Sequence, residues 1–540
     1  MKRLTSLLAA SAIALATPLG TATPKAAPSE DDRASLHWVG QEIEIARAFD
    51  VLKQRARVGS VAFRDVSVVD VVAARSLPHQ TVVTRDGKIT WVGDTANAPD
   101  TTGAFVIDGR GLYLSPGLTD MHVHTQSLAE QLLRLATGET SIRDMDGFPW
   151  MLELRRAIES GRLLAPTEYV AGTIIASYPL GGYSVVVKTE DEARQAVRKE
   201  AACGYDFIKV HNILTQPLFD AVANEAQADG LDLIGHIPHD ISIDHALHVG
   251  HMRTIEHLKG FILDNSLTAS DEDYAKATAG VEYWQTPTLY TYLDYLHGEA
   301  AKAQLARPQM QYISLARRAK WIAAANETSA RDDELRGLLV TAQHVAIDRL
   351  LPLHPHWLAG TDAAEYRYNV AGFALLDELD LMRQFGIASA DILRAATSEP
   401  ASAMRRDDFG QVKRGMRADL VLLASDPTQN LDAYRDNRGV MVRGQWLDRA
   451  ALDAALMKLA SIEAEPDGNF APGNGPVQNL MKNLAGLATD HIALDAMHLA
   501  SATATLRKLG YPAAADAMDK LIAEHASGPC AEITPAGGDD

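Results

Sequence analysis

Six side chains spread through 540 residues could converge on divalent cations: His122, His124, Lys209, His236, His257 and Asp362. His122 and His124 lie two apart at the end of an apolar run, and on a strand positions i and i+2 face the same side. Two neutral imidazoles on one side suit a metal as nitrogen donors. The spacing alone decides little. With 18 histidines in the chain, His-x-His arises readily by chance, and His354-Pro355-His356 repeats it. That second pair precedes a strand rather than ending one, so it belongs at the opposite end of the fold as surface or packing histidines.

Register with the other residues sets the first pair apart. Lys209 interrupts Phe207-Ile208-Lys209-Val210, and a lysine inside an apolar strand is costly unless paired or chemically altered. Low dielectric favours its neutral amine, which can react with carbon dioxide to give an anionic carbamate with two oxygens for two cations. His236 ends Leu233-Ile234-Gly235-His236, His257 ends Ile255-Glu256-His257, and Asp362 ends Gly360-Thr361-Asp362. Taken singly, these read as core histidines and a helix N-cap. Five strands delivering metal-compatible groups to one face read as a metal centre.

The elements that must position them alternate strand and helix, the pattern of a parallel sheet with crossovers. Eight strand candidates end in polar residues: Leu118–His124, Ser141–Asp146, Glu168–Ile175, Asp206–His211, Leu231–Ile237, Arg253–Leu258, Glu282–Leu289 and Trp357–Asp362. Eight such units fit a (β/α)8 TIM barrel over 115–405, whose active face is the C-terminal ends of the strands. An open doubly wound sheet is disfavoured, because no Gly-rich phosphate turn follows an early strand. Short strands flank the barrel on both sides, at 62–114 with an Asp86-Gly87 hairpin signal and again at 406–450. They predict a small β-sandwich built from both flanks. The crossover at about 290–352 is much longer than the rest and could form a lid or a wall. Tyr178, Tyr183, Tyr290 and Tyr292 are candidate substrate contacts. Residues 451–540 read as a linker and a helical C-terminal extension.

The N-terminus has a basic start at Lys2-Arg3, an apolar Leu4-to-Leu15 run and small residues at Gly20-Thr21-Ala22. It reads as a signal peptide over 1–22, followed by a lead-in over 23–61. The expected location is exported, periplasmic or secreted. The run is too short for a membrane anchor. A net charge of −19 without basic patches argues against nucleic acid. It leaves a small molecule or peptide as the partner, with a homo-oligomer open. Two cysteines, Cys203 and Cys530, do not make a disulfide framework. Cys203 reads as a small buried hydrophobe in a helix, and whether the two pair is open.

The run Leu114-Ser-Pro-Gly-Leu-Thr-Asp-Met-His-Val-His124 resembles the opening motif of the amidohydrolase superfamily. Gly138-Glu-Thr-Ser-Ile-Arg-Asp144, Ile208-Lys209-Val210, Ile255-Glu256-His257 and Gly360-Thr361-Asp362 resemble its successive strand ends. The nearest flavour is the branch of imidazolonepropionase-like proteins and prolidase-type dipeptidases. That resemblance implies two divalent metals, with zinc expected, bridged by a carboxylated Lys209. It puts His122, His124 and Asp362 on one metal, His236 and His257 on the other. It further implies hydrolysis of an amide or peptide bond in a dipeptide or N-acyl amino acid. Asp362 would act as general acid and base. Dipeptidases of this branch usually carry Tyr two residues after the lysine. Here it is His211, which could polarise the carbonyl in its place. Cyclic amide, lactone or ester hydrolysis is the alternative. Deamination is disfavoured because His239, rather than Glu, stands three residues after His236. A ligand-bearing scaffold without catalysis is the non-enzyme reading, although all six ligand positions are filled.

Overall fold

The computed structural model describes residues 30–180, 184–262, 270–327, 330–363, 367–465 and 496–508, together with 512, 515–516 and 518–520. The expected signal peptide, Tyr183, the linker from Pro466 to Pro476, and Cys530 lie outside the described residues.

Five strands open the chain: β1 (Val61–Asp70), β2 (Arg75–Arg85), β3 (Lys88–Asp94), β4 (Phe105–Asp108) and β5 (Tyr113–Pro116). The β2–β3 turn is the Asp86-Gly87 pair, both at positive φ (50° and 77°). Those are the dihedrals that match a two-residue hairpin to strand twist. The eight strands that follow in the centre are parallel: β6 (Leu118–Val123), β7 (Glu139–Asp144) and β8 (Thr167–Val170), then β11 to β15 after a short excursion through β9 (Ile174–Ala176) and β10 (Ser184–Val186). The last five are β11 (Phe207–Val210), β12 (Asp232–Gly235), β13 (Thr254–Glu256), β14 (Trp284–Thr286) and β15 (His356–Trp357). Parallel pairing runs β6–β7–β8 and β11–β12–β13–β14–β15. Bridges Ala171 to Phe207 and Val123 to Ala363 close the ring. Each strand expected from the sequence therefore has its place in a TIM-barrel fold.

The flanking strands form one mixed sheet built from both sides of the barrel, folded so that the Phe63 and Trp446 rings lie 5.2 Å apart in a shared core. Its hydrogen-bonded order is β18-β17-β16-β5-β1-β2-β3, with β4 also on β1, where β16 is Leu420–Leu423, β17 Asn437–Val442 and β18 Gln445–Asp448. The cause lies in β1. Its register slips between Phe63 and Val66, and Asp65 there has φ +59°. The first part of β1 pairs with β4 and the second with β5, so one long strand keeps the sheet continuous.

Much of the segment expected as a lead-in is a helix, Glu30–Arg55. Leu36, Val39, Ile43, Ala46, Phe49 and Leu52 recur at spacings of three and four and are buried, the apolar stripe of an amphipathic helix. They share a core with the first barrel helix (Leu128–Thr137), the Arg449–Glu463 helix and the buried residues Ala502 and Leu506 near the C-terminus. The long crossover is mostly helical (Gly298–Leu305, Leu315–Asn326, Ala330–Leu350), and its Leu296, Ile313 and Trp321 join the same core. Cys203 is disulfide-bonded and not the buried hydrophobe expected.

Candidate metal centre

The strand ends gather the six residues and His211 at one face. His122 and His124 on the β6 end converge with Asp362 beyond β15. His122 Nε2 lies 3.3 Å and His124 Nε2 3.0 Å from Asp362 Oδ1. One ligand atom from each of the three fits within 4.8 Å of the others. Asp362 Oδ2 faces the opposite way, 3.7 Å from His257 Nδ1. From His257 the rings continue to His236, 4.7 Å between centroids, and from His236 to His211, 4.1 Å. The residues thus form a curved row, with Asp362 touching both ends of its first part.

Close backbone approach makes this row possible. Gly360 has no room for a Cβ, which would meet Thr286 Cγ2 at 2.5 Å and His122 Cβ at 2.9 Å. Gly235, at φ +122°, would place one 2.2 Å from Val210 O and 3.0 Å from Lys209 Cδ. Lys209 needs that gap to cross the neighbouring strand. His257 (φ 58°), Thr288 (φ 47°) and Asp362 (φ 59°) are non-glycine residues in left-handed backbone. Strain of this kind, costing about 1–3 kcal/mol per residue, persists where surrounding structure enforces it.

Protonation follows from burial. Desolvation above all drives His122 and His236 well below the usual imidazole range. Burial likewise lowers His257 to about 4 and His211 to about 3. All four imidazoles are neutral at pH 7 and carry a lone pair for a cation. Burial works against ionisation of Asp362, but the adjoining His122, His257 and His124 outweigh it and hold the carboxyl below its ordinary value. Lys209 is 1% exposed, and burial lowers its pKa too. Among the described residues it makes no ion pair within 4 Å.

His122 Nδ1 is 2.8 Å from Glu256 Oε2, and a carboxylate facing a guanidinium (Arg143) can only accept. The His122 proton therefore sits on Nδ1, and its Nε2 presents a lone pair to the carboxylate oxygen of Asp362. His122 Nε2 and Asp362 Oδ1 are both buried without a hydrogen-bond partner. Two acceptors so close in a dry site repel unless a cation lies with them. The donor set, two imidazoles and a carboxylate oxygen, is one that divalent zinc accepts.

Several supporting residues went unassigned in the sequence reading. Asn212 Oδ1 is 2.6 Å from His236 Nδ1, and Thr288 Oγ1 is 2.6 Å from His257 Nδ1. Asp120 accepts the Thr361 hydroxyl and both the His122 and Thr361 N–H groups, tying the first strand to the eighth. A usable signal existed: Arg143, Glu256 and Asp120 are charges within barrel strands, where burial demands partners. Tyr290 is not free to meet a substrate. It is buried, its hydroxyl held by Arg307 and Asp377. Tyr292 packs half-buried against the helical core, whereas Tyr178 is exposed in the loop after β9. His356 lies at the far end of β15, 3.2 Å from Glu399, as expected of the second His-x-His.

Residues 113–447 match the amidohydrolase family. The fold is similar to that of a bottromycin amidohydrolase, with 24% identity, a TM-score of 0.65, and coverage of 79% of this chain and 95% of that one. It is also similar to a putative prolidase from Bifidobacterium longum, with 22% identity, a TM-score of 0.60, and coverage of 74% and 99%. Among curated proteins, a dihydroorotase from Anaeromyxobacter dehalogenans (strain 2CP-C) is 26% identical over 162 residues, 29% of this chain. That stretch spans 37% of the dihydroorotase's own length.

Proposed function

The chain belongs to the amidohydrolase family, and from that premise we propose that it is a binuclear metal hydrolase cleaving an amide or peptide bond in a small substrate such as a dipeptide or N-acyl amino acid. The observation carrying this reading is the buried, unpartnered pair of acceptors, His122 Nε2 and Asp362 Oδ1, at 3.3 Å. His122, His124 and Asp362 would hold one cation, and His236 and His257 the other. Lys209 would serve both as a carbamate: its neutral Nζ attacks carbon dioxide, an N–C bond forms, and a proton leaves. Divalent cations in such a site supply Lewis acidity, which makes water nucleophilic near neutral pH and polarises a carbonyl.

The chain's own residues do the rest. Asp362, ionised at neutral pH, accepts the proton of the attacking water and returns it to the leaving nitrogen. His211 stays neutral, with Nδ1 buried and unpartnered. One of its ring nitrogens carries a proton and can donate to the oxygen on which charge develops. The similarity to a prolidase supports an amide over an ester or lactone. The disulfide at Cys203 supports export, because such bonds persist in oxidising compartments.

The test combines metal analysis with a panel of dipeptides, N-acyl amino acids and lactones. Purified protein should hold two equivalents of zinc and turn over members of the first two groups. Lys209→Met should lose both bound metal and turnover. Full activity in that variant would defeat the bridging role, and preference for lactones would move the reaction to esters.

A further inference from the structure

Beneath His122, inside the barrel, lies a pair of opposite charges that the mechanism above does not use. Arg143 is sealed from solvent, and each of its nitrogens has a partner. Nε donates to Met121 O at 2.8 Å, Nη1 to the Thr254 hydroxyl at 3.0 Å and Nη2 to Glu256 Oε1 at 2.7 Å. Thr254 donates to the same Oε1. The other oxygen, Glu256 Oε2, accepts from His122 Nδ1 at 2.8 Å. With one oxygen pinned by a guanidinium and a hydroxyl, the carboxylate cannot rotate, and the acceptor offered to His122 is fixed in place.

The corresponding partners of the other imidazoles differ in kind. Asn212 turns its amide oxygen to His236 Nδ1 at 2.6 Å, and the Thr288 hydroxyl, which donates to Pro287 O, accepts from His257 Nδ1 at 2.6 Å. Both are neutral acceptors. Glu256 is a carboxylate paired with Arg143, and an ionised partner on the far nitrogen makes an imidazole a more basic ligand. A buried ion pair is a poor source of stability, since apolar residues of similar volume usually do as well or better.

We propose that Glu256, braced by Arg143, is a positioning residue that locks His122 in the Nδ1–H tautomer and makes His122–His124–Asp362 the first and tighter of the two metal sites. This rests on the binuclear reading above. The cation that enters first does so where a carboxylate makes the imidazole most basic; the second half, held by neutral partners, fills later.

The experiment is zinc titration of the metal-free full chain against a chelating competitor at fixed pH. The native protein should take up two equivalents in two separable steps. In Glu256→Gln the tighter step should weaken about 10–100-fold. The glutamine must turn its NH2 either to Arg143, where donors oppose, or to His122, where it selects the wrong tautomer. Because this variant leaves Arg143 without a counter-charge, Arg143→Met/Glu256→Leu is measured beside it. The apolar pair should preserve the fold, read by circular dichroism and Tm, yet show the same loss in the tighter step. Native affinity in that step for either folded variant overturns the proposal, as does a native titration with two equal steps. Loss of the fold in both variants would make the pair a stability element and overturn it as well. Absence of zinc uptake by the native protein would instead bring down the binuclear reading itself.

Discussion

His122 and His236 end different barrel strands, and each commits its Nδ1 to a neighbour so that Nε2 is left for other work. Behind His122 stands a carboxylate clamped by a guanidinium; behind His236 stands a neutral amide at 2.6 Å. The first half of the site is also stitched to the eighth strand through Asp120, which collects the Thr361 hydroxyl and two backbone amides. The second half depends on loop residues in left-handed backbone, Thr288 and His257 itself. A carboxylate held by a guanidinium makes its imidazole a more basic ligand than a neutral amide or hydroxyl acceptor does. The comparison teaches that one site can combine a half braced by charge with a half held by neutral acceptors, on strands of the same barrel.

The largest effect should come from Asp362, the residue that both halves share. Its Oδ1 faces His122 and His124, and its Oδ2 faces His257. Asp362→Asn keeps the shape but removes the charge that holds a cation and the base that takes a proton. Turnover should fall by at least about 10³-fold, within the range that general acid–base groups contribute. Zinc content should drop as well. A variant with a tenth of native kcat would show that Asp362 is neither base nor ligand.

A smaller effect is expected at Asn212, and it separates the halves. Asn212→Ala removes the acceptor of His236 Nδ1. The weaker zinc step should loosen by about tenfold, near the lower end of what such partners contribute, while the tighter step stays as in the native protein. Equal loosening of both steps would erase the asymmetry argued here.

How much of this was legible in the sequence depends on the range of the interaction. The barrel strands were readable because each is a short apolar run ending in a polar residue, and period and punctuation are local properties. The ligands were readable because they sit at those ends. The β flank was readable as strands on both sides of the barrel, but their pairing was not, because β1 carries a bulge at Asp65 and takes partners far along the chain. The helix Glu30–Arg55 was missed although its apolar stripe is present; its acidic and Pro-rich approach drew attention away from the periodicity that follows. The hydrogen-bond partners of the histidines were the least accessible. Glu256 lies 134 residues from His122 and Thr288 31 residues from His257. Nothing in local spacing states which carboxylate will meet which ring. Buried charges inside strands mark where to look, not whom they meet.

The smallest change in catalysis should come from Glu378, which anchors the half held by neutral acceptors from outside the barrel. It lies buried on the helix Phe373–Gln384, and its two oxygens accept the Leu289 and Tyr290 amides at 2.8 Å each. Those amides directly follow Thr288, the partner of His257. Burial lifts the Glu378 carboxyl to about 8, against the pull of the two amide donors. The folded state therefore holds a proton that the unfolded chain, with a pKa of 4.5, has released. Its contribution to stability is complete below pH 4.5 and is lost as pH rises through about 8. Glu378→Gln removes this titration but also opposes an NH2 to one of the amides. The variant should retain kcat within about tenfold, since one lost neutral hydrogen bond is worth roughly 1 kcal/mol. Its Tm should start below the native value at pH 5, and the gap should close as pH is raised to 9. A gap constant across that range would mean the carboxyl stays ionised throughout, and Thr288 would then have an anionic anchor, narrowing the contrast between the two halves.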